Sequence, residues 1–165
     1  MDPVRLSADL ALLAFLIAWL CRVGFRSRSQ AVAERWLYAA GALLMLVHIV
    51  LAYGIFHRWS HAAALQHTAE QTEAVVGLSF AGGLYFNFVF VLVYLVDVVW
   101  RFRLREPDAR QPRWLAITVD GFLLFIVAMS TIVFETGPVR HVACVGLLAI
   151  AVGQWRRQRS RRPAY

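Results

Sequence analysis

Lysine is absent from this 165-residue chain, and acidic and basic residues together make up only 16% of it. Soluble domains carry about 25% charged residues, so this chain lacks the polar surface needed to cover a water-soluble core. An ordinary cytosolic globule is excluded. Cysteine is also scarce. Cys21 and Cys144 form no CxxC pair, and their expected depths in different apolar runs separate them by far more than the roughly 4.4–6.8 Å a disulfide's Cα atoms allow. Both read as small apolar packing residues. No Walker loop, Rossmann glycine fingerprint or GxSxG elbow occurs, and no soluble stretch is long enough for a nucleotide site. There is no internal repeat, low-complexity tract or linker. The chain reads as one unit, residues 1–165, and no reaction can be read from it.

What is present is apolar: 60% of residues are hydrophobic, and the mean hydropathy is +0.59. Five uninterrupted runs carry this excess, at about 6–21, 36–56, 75–100, 114–134 and 139–155. At about 1.5 Å per residue, Trp36 to Phe56 reaches about 30 Å, the thickness of a bilayer's hydrocarbon layer. The last run is near the minimum length for crossing. The expected fold is all-α, a polytopic membrane protein built as a bundle of five transmembrane helices in contact with the lipid bilayer.

Punctuation fits these spans. Asp2 and Pro3 read as an N-cap and first-turn proline, and Gly137 with Pro138 breaks the chain between spans four and five. Thr68 and Gln71 have capping-box spacing, which predicts that helix three begins near Ala69 and projects beyond the bilayer, leaving residues 57–74 largely as an outer loop. Ala31-Val32-Ala33 resembles a signal-peptide cleavage site. The four arginines nearby and the acidic Asp2 and Asp9 in the leader argue against cleavage.

Arginine gives the expected orientation. Fourteen of the seventeen, including Arg22, Arg26, Arg28, Arg35, Arg101, Arg103, Arg105, Arg110, Arg113 and the cluster from Arg156 to Arg162, fall on one side. Arg5, Arg58 and Arg140 fall on the other. Basic residues are retained in the cytoplasm, so this reading puts the N-terminus outside the cell membrane and the C-terminus inside. Trp19, Trp36, Trp100, Trp114 and Trp155 sit near the inner ends, as headgroup-level indoles do. The terminal arginine cluster is read as attracting anionic lipid headgroups rather than nucleic acid.

The same topology gathers all five histidines in the outer half. His57, His61, His67 and His141, with Glu70, Glu73 and Glu135, supply the imidazole and carboxylate mixture that binds zinc or copper. His57 and His61 are one helical turn apart, and a bend around Trp59 and Ser60 would bring His67 toward them. The alternative is a wet extramembrane loop with no metal. HxxxH without an adjacent Glu lacks the general base of an HExxH hydrolase.

His48 lies within span two, roughly 12 Å below Phe56. At that depth it should face other helices, with Asn87, Tyr53 and Tyr85 within reach of a network. It is also the candidate axial ligand for haem b, although His141 lies too near the surface to serve as a second axial ligand. Asp97 stands one turn before Arg101, and with Asp120 is expected to fasten spans three and four or to line a proton path. Asp9 reads as an interfacial residue. Gly77, Ala81, Gly82 and Gly83 suggest a small-residue docking face on span three, followed by an aromatic stripe that would pack in the core. Three functions stay open: a metal- or haem-associated module at the outer face, a non-catalytic subunit of a larger membrane complex using the glycine face, and a small transporter of protons or metal ions through His48, Asn87 and the intramembrane carboxylates.

Overall fold

A computed structural model describes residues 2–24, 27–103, 112–135 and 137–159. Arg26, Arg105, Arg110, Arg161 and Arg162, counted in the charge pattern above, lie outside the described residues. The described chain is all helical. Five helical stretches, Pro3–Gly24, Ser29–Phe56, Gly83–Arg103, Trp114–Val133 and Pro138–Arg157, are long and apolar enough to cross a membrane.

Helix α1 (Pro3–Gly24) starts where expected: the Asp2 carboxylate accepts the Val4 N–H at 2.9 Å, and Pro3 occupies a position with no need of a donor. Helix α2 (Arg28–Leu51) opens with a capping box in which Ser27 and Gln30 bond each other's backbone N–H. It runs on into a π-helical turn, Ala52–Phe56. The chain then reverses through Arg58 and Trp59, both left-handed at φ 47° and 62°. The Trp59 N–H reaches back to the Tyr53 carbonyl at 2.9 Å, and its indole packs over Gly54, where a Cβ would stand 3.3 Å from the ring. That contact and the closing hydrogen bond hold two residues in a backbone region they ordinarily avoid.

Here the structure corrects the expected outer loop and third span. Residues 57–74 are mostly helical: α3 (His61–Val76) begins at Ser60, whose hydroxyl accepts the Ala63 N–H, and not near Ala69. Thr68 is interior to it, donating to the Ala64 carbonyl at 2.9 Å. Gly77, left-handed at φ 75°, ends the helix. Helix α4 (Gly83–Arg103) starts afresh after a turn. The glycines therefore do not form a docking face on one helix: Gly77 is a cap, Gly82 lies under the Phe80 ring, and Gly83 faces the Thr68 methyl.

Helix α5 (Arg113–Ala128) also passes into a π-helical turn, Met129–Val133, before α6 (Pro138–Arg159). Both π turns lie at the arginine-poor end. Neighbouring helices pack in the order α1, α2, α4, α5, α6 and back to α1, a closed ring, while α3 packs on α4. Leucine and isoleucine stripes such as Leu6, Leu10, Leu13 and Ile17 face outward. Such surface is compatible with lipid contact. The densest core lies toward the arginine-rich end, where Phe15, Trp19, Tyr38, Tyr94, Leu123 and Ile150 are almost fully buried. The Tyr38 and Tyr94 ring centroids are 4.6 Å apart, and Phe15 meets Tyr94 edge to face at 5.6 Å.

Candidate functional site

The ring does not close tightly at its arginine-poor end. A partly enclosed cavity of about 590 Å³ remains between α1, α2, α3, α4, α5 and the start of α6, within the range of about 300–1,000 Å³ common for small-molecule sites. Helical periodicity explains its lining. Ala8, Leu12 and Phe15 of α1, Met45, His48 and Ile49 of α2, Thr68, Gln71 and Thr72 of α3, and Gly83, Phe86, Asn87, Phe90 and Tyr94 of α4 repeat at three or four residues and so share one face of each helix. Helix α5 and its π turn add Phe125, Ser130 and Thr131, followed by Phe134 and Glu135. Phe15 and Tyr94 belong to both the cavity and the aromatic core beneath it.

The polar groups of this cavity divide into engaged and unengaged. The Val4 carbonyl accepts the Ser7 hydroxyl at 2.7 Å and the His48 Nδ1 at 3.0 Å. A carbonyl only accepts, so Nδ1 must carry the proton, and in the neutral ring Nε2 is left as an acceptor. His48 thus ties α2 to α1 rather than reaching Asn87, Tyr53 or Tyr85. Glu135 is paired with Arg5 at 2.9 Å. Asp9 lines the cavity half-buried, and among the described residues no hydrogen bond or ion pair engages it or Asn87.

Below Tyr94 lies a charged network that joins four helices. Tyr94 donates to the Tyr38 carbonyl at 2.9 Å, and the Tyr38 hydroxyl donates to Asp97 Oδ2 at 2.9 Å. Arg101 Nε donates to the same Asp97 oxygen at 2.6 Å, and its NH2 reaches Asp120 Oδ1 at 3.3 Å. Arg22 NH1 donates to that Asp120 oxygen at 3.2 Å, while its Nε donates to Glu34 Oε1 at 3.0 Å. Arg22 NH2 also stands 3.0 Å from Glu34 Oε1, in ion-pair contact but without hydrogen-bond geometry. Its guanidinium stacks 4.2 Å from the Trp19 ring centroid. Two guanidinium groups face three carboxylates here, all mostly buried.

The expected pairing of Asp97, Arg101 and Asp120 therefore joins α4 to α5, as the sequence suggested. Arg22, Glu34 and Tyr38 were missed. Glu34 stands one turn before Tyr38 and Arg22 three residues after Trp19, but no sequence spacing links the two pairs across the α1–α2 turn. The only available signal was a carboxylate, Glu34, just before an apolar run on the arginine-rich side.

The histidine patch is more dispersed than the sequence suggested. The left-handed turn separates His57 from His61, so the two do not share one helical face. The bend does bring His67 to His57, with ring centroids 5.4 Å apart. Burial, and then the neighbouring His67, hold the His57 imidazole below its ordinary pKa of 6.5. His61 turns instead between two phenols, its Nδ1 3.2 Å from the Tyr53 hydroxyl and its Nε2 3.4 Å from that of Tyr85. Glu70 accepts from Gln66 at 2.9 Å, Glu73 is exposed on α3, Glu135 is engaged by Arg5, and His141 is exposed in the first turn of α6. Among the described residues no three His, Cys, Asp or Glu side chains gather closely enough to hold a metal ion. Cys21 and Cys144 are both free thiols.

Comparison with known protein families, with curated proteins and with solved structures finds no match to this chain.

Proposed function

We propose that this chain is a small membrane carrier that takes a low-mass solute into the cavity at its arginine-poor end. The observation that carries this reading is the cavity itself, which stays open inside a closed helical ring and presents Asp9 and Asn87 without partners among the described residues. Asp9 is half-buried among apolar neighbours, a placement that is costly for a carboxylate unless something engages it, and a bound solute would. The arginine excess at the other end supports a cytoplasmic location for that end, so the cavity opens outward. In this reading the Tyr38–Asp97–Arg101–Asp120–Arg22–Glu34 network is the inner seal, and a transport cycle separates some of its ion pairs.

Metal storage has less support, because His48, His61, Glu70 and Glu135 engage backbone, tyrosine, glutamine and arginine partners one by one, and among the described residues no three His, Cys, Asp or Glu side chains gather. Haem b fits poorly for an electrostatic reason. His48 has the fixed tautomer that suits an axial ligand, but the porphyrin's two carboxylates would share the cavity with Asp9 and Glu135.

The test is uptake by proteoliposomes from a panel of low-mass cationic, neutral and anionic organic probes. The expected result is protein-dependent uptake of at least one, abolished by Ala8→Trp, which fills the cavity. No protein-dependent uptake of any probe would contradict the carrier reading.

A further inference from the structure

Resting on that reading, we infer that the cavity selects a hydrophobic organic cation, whose positive centre is balanced by Asp9 and whose apolar body lies against the surrounding aromatic rings. Two features of its charged lining point the same way. Among the described residues its charged side chains are both carboxylates, Asp9 and Glu135, and no arginine side chain lines it. Glu135 is neutralised by Arg5 at 2.9 Å; Asp9 among the described residues is not neutralised by anything. A carboxylate partly withdrawn from water without a counter-ion carries part of its desolvation cost, and a bound cation offsets that cost while an anion raises it.

The His48 ring agrees. With Nδ1 of His48 donating to the Val4 carbonyl, the ring nitrogen left over in the neutral form is an acceptor. Around these groups stand Phe86, Phe90, Phe125, Phe134 and Tyr94. Aromatic faces attract cations within about 6 Å, most strongly where water is excluded. A small inorganic cation would leave most of a 590 Å³ space empty, whereas an amine, phosphonium or quaternary ammonium group on an apolar body fills it.

The experiment uses two probes of nearly the same shape and opposite charge, tetraphenylphosphonium and tetraphenylborate. Each is titrated into the full chain in nanodiscs, with protein-free nanodiscs subtracted. Saturable binding of the phosphonium is expected, with none for the borate. Asp9→Asn should weaken phosphonium binding at least tenfold, and Asp9→Glu should keep it within about threefold of the unmodified chain. An unchanged circular-dichroism melting curve for Asp9→Asn shows that the loss is not one of folding. Equal binding of the two probes, or phosphonium binding insensitive to Asp9→Asn, overturns the inference. Saturable borate binding alone, lost in Ala8→Trp, overturns it and leaves the carrier reading standing. If neither probe binds saturably and the uptake panel is also negative, both fall together.

Discussion

Tyr38 and Asp97 meet near the middle of the ring's buried core, the phenol of α2 donating at 2.9 Å to a carboxylate oxygen of α4 that also accepts from Arg101. Both side chains are almost fully buried. Without the phenol Asp97 keeps its Arg101 partner but loses one of the bonds that offset its desolvation. Tyr38→Phe should lower stability by about 1.5–3 kcal/mol, the worth of one hydrogen bond to an ion-paired carboxylate, in denaturant unfolding of the detergent-solubilised protein. A variant as stable as the parent would show that the bond adds nothing.

Arg22 bridges Glu34 of α2 and Asp120 of α5, with 18% of its side chain exposed. Removing one partner of such a set leaves buried charge unmatched, at about 3–5 kcal/mol. Arg22→Met should therefore destabilise strongly. Arg22→Lys should recover only part, because one ammonium cannot reproduce a planar fork aimed at two carboxylates. Full recovery by lysine in the same unfolding assay would contradict this geometry.

At Gly41 helices α1 and α2 come so close that a Cβ would stand 2.7 Å from the Tyr94 hydroxyl and 3.3 Å from the Phe15 backbone nitrogen. Gly41→Ala must displace the phenol from its bond to the Tyr38 carbonyl or push the helices apart, and should cost about 1–3 kcal/mol. Gly121, with nothing within 4 Å of a built Cβ, is the internal comparison. Gly121→Ala should be neutral or stabilising by up to about 1 kcal/mol, since alanine is the better helix former. Equal melting temperatures for the two variants would refute the close approach.

His57 gives a pH dependence whose sign is fixed. Its folded pKa is depressed by burial and by His67, so the unfolded chain binds the proton more readily. Its contribution to stability is complete above the unfolded value of about 6.5 and is lost as pH falls below that toward the folded pKa. Nitrogen-15 NMR should place the His57 midpoint below 6.5, and His67→Ala should raise it. A midpoint at or above 6.5 in the parent would contradict the local environment described.

Much of the architecture is written in the apolar runs, because span length and arginine placement are local properties. Asp2-Pro3 and Gly137-Pro138 mark helix starts for equally local reasons. The run from Val75 to Trp100 misled, since Leu78 and Phe80 keep its hydropathy high across a glycine-rich turn that ends one helix and begins another. Contacts between distant segments were less legible. His48 binds a backbone carbonyl, at Val4, which every residue possesses and no side-chain pattern advertises. Arg22 and Glu34 meet only because α1 and α2 fold back on each other, and Arg22 by sequence alone belongs with the topogenic arginines. The cavity, likewise, is a property of how five helices and α3 fail to fill a volume.

The account stands most directly on whether Asn87 faces a solute-accessible cavity open to the outside. Asn87→Cys, with Cys21 and Cys144 changed to alanine, should react in sealed, right-side-out vesicles with a membrane-impermeant maleimide, and tetraphenylphosphonium should protect it. A thiol that is unreactive from outside, or that reacts at the same rate with the cation present, would contradict the account.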